Sequence, residues 1–171
     1  MEKDLIDLLI KKYHFEPLPE EGGLFVQTYK SAEELDPANL PARYQQKRPF
    51  GTAILYLLTD HSNSFSAMHR LLTDEIYHFY LGDPIEMLQL YPDGSHRQVI
   101  IGNDILGGQE VQYVAPQGVW QGSRLKEGGS YALIGTTMAP GFEWGDFELG
   151  NPSDLIRQYP AAEKYIRRLT R

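Results

Sequence analysis

The chain has 171 residues, a formal net charge of −7 and no cysteine. This length is typical of one domain, which buries roughly two-thirds of its unfolded surface and so forms a hydrophobic core. The acidic balance and the scattered Lys and Arg argue against nucleic acid as a partner, and the lack of cysteine excludes disulfides, thiolate metal sites and cysteine nucleophiles.

The first predicted element is a helix over residues 4–13. Its apolar residues fall on one helical stripe, and these are Leu5, Ile6, Leu8, Leu9 and Ile10. Charged residues interrupt that stripe from the first turn onward, so it is neither a signal peptide nor long enough to cross a membrane. The sequence therefore predicts a cytoplasmic protein that has no membrane partner.

A turn and a long irregular stretch come next. Glu20 and Glu21 precede two glycines that permit a bend, and we interpret the two acids as turn residues whose side chains diverge. A short strand is predicted over residues 24–29. Residues 31–48 show little periodicity and are predicted to form a long excursion with one helical turn.

From Phe50 onward, short runs of Ile, Leu, Val, Tyr and Phe alternate with turn signals, which is typical of an antiparallel sandwich or barrel. The clearest predicted strands are residues 52–59, 75–81, 85–91 and 131–137, with a last strand around 144–149. Residues 64–71 are taken as a further strand when the faces of the side chains are assigned. A helix from Asn151 to Tyr159 and a further helical turn follow. The sequence therefore predicts an all-β fold with flanking N- and C-terminal helices, in a single domain over residues 1–171.

Strand alternation predicts which polar side chains face the interior. His69 shares one face of its strand with Leu71, and Glu75 shares one face of the next strand with Tyr77 and Phe79. Gln121 follows a Pro-Gly turn and is placed where it can also point inward. A histidine, a carboxylate and an amide are thus expected to meet inside the barrel.

Four motifs carry a resemblance to a known family. They are E-G-G-x-F at residues 21–25, D-E-x-x-H-F-x-x-G-D-P at 74–84, P-x-G-x-W-Q at 116–121 and A-P-G-F at 139–142. In this order they resemble a branch of small bacterial and fungal proteins of unknown function in the cupin superfamily. The resemblance implies a double-stranded β-helix, that is, a jelly-roll barrel with an interior pocket.

The chain departs from the metal-binding pattern of this superfamily. The resemblance would place three histidines and one glutamate around a cation, but Leu71 and Gln121 stand at two of the histidine positions. The remaining donors are His69, Glu75 and Gln121, and a transition metal is usually held by at least three good N, O or S ligands. We therefore expect no cofactor, with a weak divalent-metal site at these three residues as the last alternative.

Metal-free relatives within the wider fold include sugar-nucleotide epimerases, which use an inward histidine and a tyrosine. By that resemblance His69 is the predicted base, Glu75 orients it, and Tyr77 or Tyr131 returns a proton. The predicted ligand-binding residues are Leu71, Phe79, Gln121 and Phe142. Since no arginine-rich signature is present, the predicted substrate is a small sugar or hydroxy-carbonyl compound.

Two further hypotheses use the same residues. In one, the chain is a non-catalytic binding module for a small polar metabolite, and in the other His69 and Glu75 are only a buried structural pair. A homodimer is also predicted, because an open jelly roll has strand edges to cover.

Overall fold

The computed structural model describes residues 2–171, and its elements follow the predicted order of helix, strands and helices. The helices are α1 (Glu2–Tyr13), α2 (Pro152–Gln158) and α3 (Glu163–Ile166). The strands are β1 (Glu16–Pro17), β2 (Leu24–Lys30), β3 (Glu34–Leu35), β4 (Arg48–Pro49), β5 (Thr52–Thr59), β6 (Phe65–Arg70), β7 (Glu75–Gly82), β8 (Ile85–Leu90), β9 (His96–Ile101), β10 (Gln112–Ala115), β11 (Trp120–Leu125), β12 (Tyr131–Met138) and β13 (Glu148–Leu149).

Two antiparallel sheets face each other. The first has the order β1-β2-β5-β12-β7-β10 and the second the order β13-β6-β11-β8-β9, while β3 and β4 form a separate pair. Because side chains alternate along each strand, every strand sends one set into the space between the sheets and the other set outward. The all-β prediction with helices at both ends is confirmed.

The terminal helices cover the outer faces of the two sheets. Helix α1 packs Leu9 and its apolar neighbours against Leu57 and Leu133 of the first sheet. On the second sheet, Leu155 and Ile166 pack against outward-facing residues such as Leu88. None of the helices within residues 2–171 is long and apolar enough to cross a membrane.

The space between the sheets has two different ends. At one end, apolar residues from both sheets fill the interior, and they include Leu58, Ile85, Ile101, Leu125 and Ala132. At the other end, where β5 begins and β12 finishes, the interior opens into a cavity. The strand direction therefore sets how deep a side chain lies between the solid core and the cavity.

The region after β12 differs from its prediction. Residues 144–149 were expected to form a strand, but Trp144–Asp146 is a 3-10 turn and only Glu148–Leu149 is extended. The carboxylate of Asp146 accepts hydrogen bonds from the backbone N–H of Glu143 and from the guanidinium of Arg48. This long-range ion pair holds the turn closed, and the local pattern of apolar residues could not indicate it.

The ion pair between Arg48 and Asp146 gives the first testable prediction. Both side chains are buried, so Asp146→Ala leaves the guanidinium without its partner and should lower the free energy of unfolding by about 3–5 kcal/mol. The matched control is Glu148→Ala, which breaks an exposed pair with Arg70 and should cost at most about 1 kcal/mol. Urea denaturation measures both, and equal losses would contradict a structural role for the buried pair.

Candidate functional site

The open end of the interior is a cavity of about 310 Å³. Polar side chains and aromatic rings line it together, and no lysine or arginine among residues 2–171 belongs to the lining. The lining residues that matter below are Glu16, Glu21, His69, Leu71, Glu75, Thr136, Phe142, Trp144 and Phe147. A cavity of this size and composition is typical of a site for a small organic ligand.

A hydrogen bond across the interior joins the two sheets beside the cavity. Nε2 of Gln121, on β11, donates to Oε2 of Glu75, on β7, at 2.8 Å. The hydroxyl of Tyr77 donates to the same oxygen at 3.0 Å. Since Glu75 is almost fully buried, these donors supply the partners that a buried carboxylate needs.

His69 lies beside this pair on the neighbouring strand β6. Its Nδ1 is 2.8 Å from the carbonyl oxygen of Ala67, which can only accept, so Nδ1 carries a proton. Its Nε2 lies 4.0 Å from Oε2 of Glu75 and 3.4 Å from Nε2 of Gln121. The ring is therefore held in one orientation, and Nε2 is the nitrogen that gains or loses a proton.

The electrostatics of the site favour a charged histidine. Burial lowers the pKa of His69, but the carboxylates of Glu21 and Glu75 outweigh it and raise the pKa to about 9. Burial also works to raise the pKa of Glu75, and the hydrogen bonding and charge of His69 reverse this, so that its pKa is lowered. At neutral pH these shifts favour an imidazolium beside an ionised Glu75.

Glu21 is the site residue that the sequence did not indicate as functional. It lines the cavity from the turn before β2, and the hydroxyl of Ser66 donates to its Oε1 at 2.6 Å. Adjacent acids in a turn were expected to diverge, and they do, because Glu20 is exposed while Glu21 points inward. The E-G-G-x-F motif was the available signal, since it includes this acid.

An aromatic segment forms one wall of the cavity. Phe142, Trp144 and Phe147 lie in the stretch after β12 that the pair of Arg48 and Asp146 holds closed. The ring of Phe147 stacks on His69 with centroids 5.2 Å apart and planes at 20°. This wall covers one side of the His69 ring and offers rings against which a ligand can pack.

The structure brings together most of the predicted site residues. His69, Glu75, Tyr77 and Gln121 are in contact, and Leu71 and Phe142 line the cavity. Phe79 faces inward as expected, but it packs against the apolar core rather than the cavity.

The expected position of Tyr131 is corrected. Alternation along β12 sends Ala132 and Ile134 into the interior core, so Tyr131 points to the other face, where it packs with Leu9 of α1. It is therefore remote from His69, and the structure does not support its predicted role as an acid.

The donor set does not fit the metal that the superfamily resemblance implies. Among residues 2–171, no group of three or more His, Asp or Glu side chains is arranged to hold an ion. Gln121 presents its Nε2 to the carboxylate of Glu75, and turning the amide would set an oxygen against that negative charge. Leu71 contributes no ligand. The geometry is that of a hydrogen-bonded site.

Comparisons with known proteins agree with this architecture. Residues 7–150 match the family model described as Cupin superfamily (DUF985). The uncharacterized protein YML079W of Saccharomyces cerevisiae is 28% identical over 152 residues, which cover 84% of this chain and 75% of that protein. A hypothetical protein from Leishmania major is similar in structure with a TM-score of 0.84 and 27% identity, covering 96% of this chain and 97% of its own.

A second solved structure, protein SO0799 from Shewanella oneidensis, has a TM-score of 0.83 and 29% identity over 96% of each chain. None of these descriptions names an activity.

The raised pKa of His69 predicts how stability depends on pH. A group whose pKa is higher in the folded state stabilises the fold below its unfolded pKa near 6.5 and loses this contribution as pH rises through about 9. Denaturant unfolding should show a loss of up to about 3 kcal/mol between pH 6.5 and 9. His69→Gln should remove most of this slope, and a wild-type profile that is flat over the range would refute the charged histidine.

The metal interpretation gives a gain-of-function prediction. Restoring two imidazoles with Leu71→His and Gln121→His should create the three-histidine, one-glutamate set that binds divalent transition metals. After incubation with Zn²⁺ and dialysis, elemental analysis should find about one ion per chain in the double variant and much less in the wild type. Stoichiometric metal in the wild type, lost in His69→Ala, would show that Gln121 is a ligand after all.

Proposed function

This chain belongs to the cupin superfamily, in the family whose model matches residues 7–150, and from that premise we propose that it is a metal-independent isomerase of a small, uncharged hydroxy-carbonyl compound. The double-stranded β-helix holds the cavity in a fixed shape. The residues that line the cavity transfer protons, and the reaction includes no redox step.

One observation carries the proposal: a histidine next to two carboxylates lines the cavity. Nδ1 of His69 is fixed by Ala67, so Nε2 is the only nitrogen that can exchange a proton with a ligand. Proton transfer to or from a carbon next to a carbonyl needs one group of this kind at a defined position. Because His69 is charged at neutral pH, its first act is to donate a proton to the carbonyl oxygen.

The charges around the cavity favour an uncharged ligand. The lining holds Glu16, Glu21 and Glu75 against a single histidine, so a phosphate or carboxylate would meet repulsion. Of the cations near the cavity, Arg48 pairs with Asp146 and Lys30 with Glu143. Arg171, whose charge acts on Glu21, lies outside the lining and donates to the backbone carbonyls of Glu20 and Asn63. This supports a small sugar or related compound over a nucleotide sugar.

Glu75 and its donors keep His69 in place. The carboxylate accepts from Gln121 and Tyr77, and burial keeps the phenol of Tyr77 protonated by raising its pKa well above its ordinary value. The hydroxyl of Tyr77 therefore donates its hydrogen bond to Glu75, and in this proposal it transfers no proton to the ligand. In this proposal Glu75 stabilises the imidazolium, and Gln121 fixes the carboxylate between the sheets.

The competing function is a binding module that uses the same cavity without turnover. It is favoured by the two donors that fix Oε2 of Glu75, an arrangement that suits a fixed receptor as well as an enzyme. Binding without proton exchange would select it. The homodimer and the cytoplasmic location stay predictions.

The test is proton exchange from carbon. D-glyceraldehyde, D-xylose and D-mannose are incubated with the protein in D₂O, and loss of the C2 proton is followed by NMR. We expect at least one of these sugars to exchange, and His69→Gln to lower the rate by about 100-fold or more. The matched control is His78→Gln, which alters a histidine on the outer face of β7 and should leave the rate unchanged.

Two outcomes would overturn the isomerase. Binding by calorimetry without exchange in the wild type would leave the binding module. Exchange that persists in His69→Gln would show that the imidazole is not involved.

A further inference from the structure

We propose that Glu21 is the proton acceptor of this isomerisation and that His69 is its proton donor. The inference rests on the proposed function and assigns its second catalytic residue. It reverses the role expected for His69 from the sequence, where the histidine was the base.

The backbone around Glu21 is built to hold one conformation. Glu20, Gly22 and Gly23 all have positive φ angles, of 61°, 99° and 68°. At Gly23 an added Cβ would lie 2.5 Å from the hydroxyl of Tyr56, so only glycine allows the chain to pass there.

Two hydrogen bonds from the barrel fasten this turn. The hydroxyl of Tyr56 donates to the carbonyl of Gly22 at 2.7 Å, and the N–H of Ala67 donates to the carbonyl of Glu21 at 2.9 Å. Ala67 is also the residue whose carbonyl fixes His69. Glu21 and His69 are therefore positioned against the same point of β6, which is the precision that proton transfer requires.

The side chain of Glu21 has one oxygen held and one oxygen available. Ser66 donates to Oε1, and no side chain among residues 2–171 forms a hydrogen bond to Oε2. Since Glu21 lines the cavity and is only half-buried, Oε2 is the carboxylate oxygen that a ligand can reach.

Glu75 is less suited to accept the proton. Two donors, Gln121 and Tyr77, already stabilise its carboxylate through Oε2, whereas Glu21 receives only the hydroxyl of Ser66. Each such donor stabilises the charged form and makes a carboxylate a weaker base. Its pKa is lowered by the hydrogen bonding and charge of His69, whereas burial raises the pKa of Glu21 despite the opposing charge of His69. A raised carboxyl pKa lies closer to neutral pH, where a general base is most effective.

The step balances without a cofactor. Oε2 of Glu21 takes the proton from the carbon next to the carbonyl, and the C–H electron pair becomes the C=C bond of an enediol. The carbonyl π pair moves onto oxygen, which receives the proton of Nε2 of His69. Neutral His69 then accepts the proton of the adjacent hydroxyl while Glu21 returns its proton to the former carbonyl carbon, so both groups regain their starting state.

A purely structural role for Glu21 is the alternative. The hydrogen bond from Ser66 could serve only to fix the turn against β6. Glu21→Gln separates the two roles, because the amide oxygen can still accept from Ser66 but the side chain can no longer take a proton. Glu21→Asp keeps a carboxylate, although it is set back by one methylene.

The experiment measures C2 exchange of D-glyceraldehyde, D-xylose and D-mannose in D₂O, together with sugar binding and the melting temperature. Glu21→Gln should lower exchange by about 100-fold or more, with binding and melting temperature close to those of the wild type. Glu21→Asp should retain an intermediate rate. Glu20→Gln is the matched control, since it removes the exposed acid of the same turn and should change nothing.

The pH profile gives a second readout that a structural role would not move. Wild-type exchange should rise with pH as Glu21 ionises, and the residual rate of Glu21→Gln should lack this limb. An exchange rate in Glu21→Gln equal to that of the wild type would overturn this inference and leave the proposed function standing. Absence of wild-type exchange with every sugar would overturn the proposed function and this inference with it.

Discussion

A single hydrogen bond between the sheets determines how the interior of this protein is organised. Glu75 places a carboxylate almost fully out of contact with solvent, and such a charge is tolerated only when donors or a cation surround it. Gln121 supplies a donor from the opposite sheet, Tyr77 supplies one from the same strand, and His69 supplies the positive charge. These side chains provide the hydrogen bonds and the positive charge that the carboxylate of Glu75 needs. Because they come from both sheets, the geometry of the site depends on how the two sheets pack.

One end of the barrel is a packed apolar core that stabilises the fold, and the other end holds the candidate site. At one end both sheets meet through apolar side chains such as Ile85 and Ala132, which need no polar partner. At the other end the strands open onto the cavity, and the wall there depends on the buried pair of Arg48 and Asp146. Because that pair holds the aromatic segment that stacks on His69, it contributes to the wall of the cavity as well as to the fold.

Much of this arrangement could be predicted from the sequence, because strand alternation decides which face a side chain occupies. It placed His69, Glu75 and Gln121 inside correctly. It could not give depth along the barrel, so Phe79 was expected at the ligand and lies in the core. For Tyr131, the sequence does not say which face of β12 is the inner one, and the structure gives that face to Ala132 and Ile134. The inward orientation of Glu21 could not be predicted, because it depends on a turn whose hydrogen-bond partners, Tyr56 and Ala67, are distant in sequence.

The loss of metal ligands and the charge of His69 are connected. In a cavity lined by Glu21 and Glu75, some positive charge must offset the carboxylates, and in a metal-binding cupin a divalent cation would do so. Here Leu71 and Gln121 cannot complete a ligand set, and the same electrostatic demand is met by a proton on Nε2, which is why the carboxylates raise the pKa of His69 despite its burial. A fixed metal charge can polarise a carbonyl but cannot be transferred to it, whereas a proton can. The same two residues that do not fit a metal therefore leave the compensating charge to a proton, which is the group that the proposed isomerisation transfers.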